Sequence, residues 1–505
     1  MAINFLPNDP LAVDQMPMRK QDPRSDRPAS RAGFTFFGAV PEKQYDQDTD
    51  EFLFWQCREA ALAAVENWED LNGNLTAWAR SGKKLELSLD FDDPEFTGPQ
   101  KLNAFYDGDG LRFFIFKNDD DGTRVCSGLS TDTVTHEAGH ALLDTLRPEF
   151  MESNFPEVNA FHEAFGDINA VLTALADKPT RAALLNQSAD LGQANFVEAS
   201  SEYLSDAIRR QFGNVSPSKP RRLLNQFQWK LPSALPAGSF NDPPDLLSRE
   251  AHNFSRVFSG CFYDVLRGVF TAGGGGDANL VAATRTVAKL LIDAVKTAPH
   301  TPRFFSAVGR GMLLADQDQN DGANQDAIRA AFEGHSVLLG TSPVAPTAVL
   351  DGPSPKVLKN SASIADSTRS DLRDRLRATA GGKLTVAAHA LAGARVAAAN
   401  YQREIGLGGL DKRLKGVVAY AGETVLVGSS GGRAAVFGAM PEPNQSEDEV
   451  LAFVESLIAN GRVQIGQKPK LAAVARSKIS YGITHVIRAK GDKKVLTRVR
   501  YFCGG

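Results

Sequence analysis

The stretch STDTVTHEAGHALLDTL, residues 130–146, reads as one helix: Ser130 or Thr131 can cap its start, and Pro148 follows its end. At about 100° per residue, His136 and His140 leave the same face of that helix one turn apart. Two imidazole nitrogens so placed suit tetrahedral Zn²⁺, whose bonds to nitrogen are about 2.0–2.1 Å. Glu137 sits beside them, able to reach a metal-bound water without itself ligating the metal. A catalytic zinc needs a third protein ligand and an open fourth position. The next helical pattern, VNAFHEAFGDINAVLTAL (158–175), offers Glu163. Four residues on, Asp167 shares its face and is placed to accept the second N–H of His136 and fix that ring. Ala160, Phe161, Ala164, Phe165, Ile168 and Leu172 make this helix largely buried, and buried acids are seldom left unpaired.

Outward from these helices the chain is mixed. A helix over 48–72, with Phe52, Trp55, Leu62, Val65 and Trp68 at helical spacing, stops at LNGN. KLELSLDF (84–91) alternates as a strand, and NAFY (103–106) and LRFFIF (111–116) are two strands joined by the turn DGDG. Helical patterns recur at 198–212, 248–271, 277–297, 302–314 and 325–333. The fold class expected is α+β. It divides into an α/β lobe with the zinc-binding helices (33–175) and a mainly helical lobe (176–340). A polar, flexible arm precedes them (1–32), and a Pro-rich linker follows (341–362). Residues 363–505 read as a separate α+β domain of no assigned role. It starts with an Ala/Arg/Leu-rich helical stretch (363–403) and ends in the strand pair SYGITHVIRAK/KKVLTRVRYF (480–490 and 493–502).

Composition narrows the partners. The 505 residues are 42% hydrophobic and 23% charged, an ordinary globular balance, and Lys+Arg 56 against Asp+Glu 60 leaves a net charge of −4. No global basic field exists to hold nucleic acid, and no run of about 18 apolar residues suggests a membrane span. Cys57, Cys126, Cys261 and Cys503 are scattered without metal-type spacing and read as free thiols. With a start, MAINFLPNDP, that lacks an apolar signal core, the expected location is cytoplasmic.

TDTVTHEAGHALLD followed by VNAFHEAFGDI resembles the active-site helix pair of the thermolysin-like gluzincin metallopeptidases. The resemblance implies a two-lobed catalytic unit, zinc ligands His136, His140 and Glu163, Glu137 as general base, and Asp167 behind His136. His162 replaces the family's Asn. NAFY (103–106) is similar to the family's edge strand, which implies that the Asn103 side chain and the Ala104 carbonyl pair with substrate backbone. Strand addition to a free edge agrees with this physically. Further on the likeness implies His252, with Arg256 the alternative, as the donor to the oxyanion, and Arg209 in DAIR (206–209) as a ligand of the substrate carbonyl. The family's tyrosine before the third ligand has no counterpart, because Asn154 or Phe155 falls there. The likeness spans 45–175 well and 200–340 loosely, and it leaves out 1–32 and 345–505.

The function expected is zinc-dependent hydrolysis of peptide bonds in a peptide or protein substrate. The alternative is a gluzincin scaffold kept for binding peptide or protein, with 345–505 as its interaction module. The intact Glu137 argues against that alternative. The acidic loops KNDDDG (117–122) and DQDQNDGANQD (316–326) could hold Ca²⁺, although the second also reads as a turn capping the next helix. The arm is too short for a long inhibitory pro-segment, so either narrow substrate choice or restraint by the arm or by the C-terminal domain is expected.

Overall fold

The computed structural model describes all residues except 94–95, 97–100, 119–121, 201, 213–220, 239–242, 244, 341–344, 379–383, 392–393, 439, 466–481 and 503–505. Its helices are α1 (Asp50–Asn72), α2 (Thr131–Leu146), α3 (Pro156–Ala176), α4 (Lys178–Gln187), α5 (Glu202–Phe212), α6 (Ala251–Ala272), α7 (Gly276–Thr297), α8 (Phe304–Asn320), α9 (Gln325–Gly334), α10 (Asp366–Arg375) and α11 (Pro443–Ala459). The start of α1 is capped by Thr49, whose side chain accepts from the Phe52 N–H. With proline in its first turn, α3 is buried at every residue from Pro156 to Leu175. Such a helix has no solvent face and forms the centre of a core. Around it pack α1, α2, α6, α7, α8 and α11.

Beside α2 lies a five-stranded sheet in the order Tyr501–Phe502, Ala104–Tyr106, Gly110–Phe113, Lys84–Ser88, Gly33–Phe36. The expected hairpin closes at DGDG: Gly108 has φ 94°, and the Asp107 carboxylate accepts from the backbone N–H groups of Asp109 and Gly110. Residues 1–32 are not the flexible arm that their polarity suggests. Ile3–Phe5 pairs with Arg19–Gln21, and Ile3, Phe5 and Leu6 are buried. The arm's charges also have fixed partners on α1: Arg24 meets Glu59 and Glu66, and Arg27 and Arg31 both meet Glu69. Those partners are far along the chain, so local composition did not reveal them.

The α+β class holds, but residues 363–505 do not stand apart. The expected linker contains the strand Pro346–Pro353, which enters an eight-stranded sheet. That sheet also holds Thr385–Leu391, Ala394–Gly406, Val417–Ser430, Arg433–Phe437, Val463–Gln464, His485–Lys490 and Lys493–Arg498. The helix expected over 363–403 ends at Arg375, and ARVAAAN is strand. Here Ala397 and Ala399 pack with Val425 and Val427, while Ala398 meets Leu426 on the other face. Small residues suit a strand covered on both sides, and tertiary pairing overrides their helical preference. One hydrophobic cluster runs from Phe161 and Phe165 through Ile405, Ala419, Val450, Phe453 and Leu496. No helix among the described residues is long and apolar enough to cross a membrane. Cys57, Cys126 and Cys261 are free and buried, and Cys503 lies outside the described residues.

A charge cluster ties the two regions together. Arg303, just before α8, pairs with Glu157 of α3 at 3.0 Å and with Glu449 of α11. Both carboxylates are fully buried, and desolvation, opposed chiefly by Arg303, pushes Glu449 up to about 7. Removing the shared cation leaves two buried acids uncompensated. Arg303→Met is expected to cost about 3–5 kcal/mol in urea unfolding. A loss under about 1 kcal/mol would show that the cluster does not join the regions.

Candidate metal centre

Close approach of two backbones builds the site. A Cβ placed on Gly139 of α2 would lie 3.0 Å from the Gly166 Cα of α3, and a Cβ on Gly166 would lie 2.6–2.8 Å from the His136 ring. Glycine inside a helix costs about 1 kcal/mol relative to alanine. These two allow α2 and α3 to meet at a distance that side chains would forbid, and they set His136 and His140 facing Glu163.

The donor atoms converge. His136 Nε2 and His140 Nε2 are 3.1 Å apart, and Glu163 Oε2 lies 3.5 and 3.6 Å from them. A tetrahedral ion with bonds of about 2.0–2.1 Å would hold its donors about 3.3 Å apart, which matches this triangle. Glu163 Oε2 is buried and accepts no hydrogen bond among the described residues, an arrangement that a cation would relieve. Glu137 is buried beside the rings, and His136, Glu137 and His140 offer ligand atoms all within 4.8 Å of one another. This group could hold a metal ion.

Each ring is fixed from behind. His136 Nδ1 meets Asp167 Oδ1 at 2.9 Å, as expected, and Asp167 also receives Ser200 Oγ at 2.9 Å and the Arg221 guanidinium at 3.0–3.3 Å. Burial would raise the Asp167 carboxyl, but Arg221 and His136 pull it well below the usual carboxylate range. His140 Nδ1 meets His162 Nδ1 at 2.8 Å. With His162 neutral and accepting, His140 donates from Nδ1 and keeps its Nε2 lone pair for a metal. Burial, and then the neighbouring His136 and His162 rings, hold His140 well below the usual imidazole range. His162 is thus a group able to orient the His140 ring. Tyr501 stacks on His162 at 3.8 Å and on His140 at 4.9 Å between ring centres.

Of the remaining predicted residues, His252 reaches the centre, with Nε2 3.2 Å from Glu163 Oε2. Glu250 grips its Nδ1 at 2.9 Å. Burial would raise Glu250, but His252 and Arg462 bring it down to about 2, so it is ionised. Arg256 turns elsewhere: its guanidinium lies 3.8 Å over the Phe227 ring and donates to the carbonyls of Asn253 and Leu246. The geometry thus favours His252 over Arg256. Asn103 is buried, with its side-chain oxygen 2.9 Å from the Ala104 N–H. Ala104 belongs to the predicted strand, but that strand is no open edge, because Phe105 and Tyr106 pair with Phe502 and Tyr501. Arg209 falls on α5, and its side chain is outside the described residues. Asn154 and Phe155 have partners elsewhere: Asn154 donates to the Tyr420 carbonyl and Phe155 packs against His300.

The possible calcium loop at 316–326 closes on itself. The Asp316 carboxylate accepts from the side chains of Asn320 and Asn324 and from the Asn324 N–H, a turn between α8 and α9. In KNDDDG, residues 119–121 lie outside the described residues. Sequence reading missed Ser200, Arg221, Glu250 and Tyr501 as parts of the site. Glu250 had a local signal, its i+2 spacing to His252; the others are distant in the chain and had none.

Asp167→Ala and His162→Leu are each expected to weaken divalent-metal affinity about 10–100-fold in chelator competition while the far-ultraviolet circular dichroism stays unchanged. His162→Asn, which retains an acceptor, should stay close to wild type. Gly166→Ala should lose the metal outright, because its Cβ displaces the His136 ring; undiminished affinity in that variant would contradict the close-packing account.

No protein-family model matches the chain, and no curated protein matches it either.

Proposed function

We propose that this chain is a zinc-dependent hydrolase of peptide bonds. The observation carrying the proposal is the triangle of His136, His140 and Glu163 donors at 3.1–3.6 Å, with Glu137 buried alongside. Two imidazoles and one carboxylate, with a fourth position left open, form a common catalytic zinc set. When bound, zinc would lower the pKa of water to about 7 and polarise a scissile carbonyl. Glu137 takes a proton from the attacking water and delivers it to the leaving amine. His252, aligned by ionised Glu250, donates from Nε2 to the carbonyl oxygen as negative charge develops there. Asn103 and Ala104 would hold the backbone of an extended peptide along their strand once Tyr501–Phe502 has left it.

A second reading is a scaffold that binds peptide without cutting it; like the first, it requires Tyr501–Phe502 to leave the strand paired along Phe105 and Tyr106. Glu137 separates the two, since binding alone gives no role to a base beside the donors.

Purified protein is expected to contain one zinc per chain, lost in Glu163→Ala and kept in Glu137→Gln. Glu137→Gln should lower hydrolysis of a furylacryloyl-peptide by about 10²–10⁴-fold. Equal rates in wild type and Glu137→Gln would sink the hydrolase reading.

A further inference from the structure

The strand beside the candidate centre is covered by a later segment of the same chain. Tyr501–Phe502 pairs antiparallel with the Ala104–Tyr106 strand, in the register Tyr501 to Tyr106 and Phe502 to Phe105. The Phe502 carbonyl oxygen is hydrogen-bonded by His252 Nε2, the same atom that lies 3.2 Å from Glu163 Oε2. A backbone carbonyl therefore accepts from the group that the proposed reaction assigns to the scissile carbonyl. Both side chains are as buried as core residues, each 1% exposed. The Phe502 ring sits among Phe96, Phe105 and Phe114, 5.4 Å from Phe105 and 5.9 Å from Phe96 between centres. Tyr501 lies on the imidazoles of His140 and His162, and the Arg498 guanidinium covers its ring at 4.1 Å. Beside Glu163 and His252 a cavity of about 30 Å³ remains. It has room for a water but not for a peptide residue.

The segment is also firmly tethered. Lys493–Arg498 is an inner strand of the large sheet, paired with both His485–Lys490 and Val417–Ser430. Two residues later the chain has crossed into the other sheet, and the Val499 N–H is bonded to the Thr484 carbonyl. A tethered ligand binds at a high effective concentration, so it competes strongly with free peptide.

We infer that Tyr501–Phe502 is a built-in occupant of the substrate strand: an intramolecular peptide ligand that closes the centre until it is displaced. Its side chains also name the substrate class, an extended peptide presenting an aromatic residue to the Phe96, Phe105 and Phe114 pocket. This inference rests on the peptidase reading of the same site.

The test compares the full chain with one ending at Arg500, both loaded with zinc. The probe is a fluorescein-labelled peptide of residues 500–505, RYFCGG, followed by polarisation. The shortened chain should bind the probe at least tenfold more tightly than the full chain, and should cleave a furylacryloyl-peptide at least tenfold faster. Unlabelled RYFCGG should inhibit that cleavage competitively, and a control peptide with Phe replaced by Asp should not. Phe502→Asp in the full chain should reproduce the gain, which keeps the test usable if truncation harms folding. Probe binding confined to the shortened chain, with no cleavage by either, would uphold the occupancy and discard the hydrolase. Equal cleavage by both chains would keep the hydrolase and overturn the occupancy, as would a folded shortened chain that ignores the probe.

Discussion

The closeness of α2 to α3 governs the candidate centre. Two helices normally pack 8–10 Å apart, with side chains between them. Here Gly139 and Gly166 remove those side chains where the axes approach, and the His136 ring fills the space above Gly166. His136, His140 and Glu163 therefore converge because the backbones themselves are in contact. A helix pair held by bulkier residues would carry the same motif with its donors too far apart to share one ion.

Around that contact, charge is arranged so that each donor has its own support. Asp167 is buried yet ionised because Arg221, from outside the helix pair, and His136 hold its carboxyl low, and Ser200 also donates to it. Glu250 is likewise held ionised, and it turns the His252 ring towards Glu163. Burying such charges is costly unless they are paired and hydrogen-bonded, and each of these is. The cost is offset by orientation: the imidazoles have little freedom to rotate away from the centre.

The C-terminal sheet belongs to the same structure. Its core is continuous with that of α3, and Arg303 bridges a carboxylate on each side. That continuity carries Tyr501 and Phe502 to the strand beside the candidate centre, because a hairpin anchored in a large sheet directs its next residues along a defined path. The resulting five-stranded sheet thus joins strands from 33–113 with one from 501–502.

Local pattern by itself marked α1, α2, α3 and α6–α9, the DGDG hairpin and the grouping of His136, Glu137, His140, Glu163 and Asp167, because helical periodicity and short spacing act over a few residues; it missed α4 and carried the helix of 363–403 too far. His162 was visible in the sequence beside Glu163, but its contact with His140 was not. The ordered N-terminal arm, the strand character of ARVAAAN and the support from Arg221 and Ser200 were decided by tertiary structure, since their partners lie tens to hundreds of residues away. KKVLTRVRYF was legible as a strand, yet nothing local marked that it splits after Arg498 between two sheets. Strand pairing is a non-local choice, set by which free edge the folded chain brings within hydrogen-bonding reach.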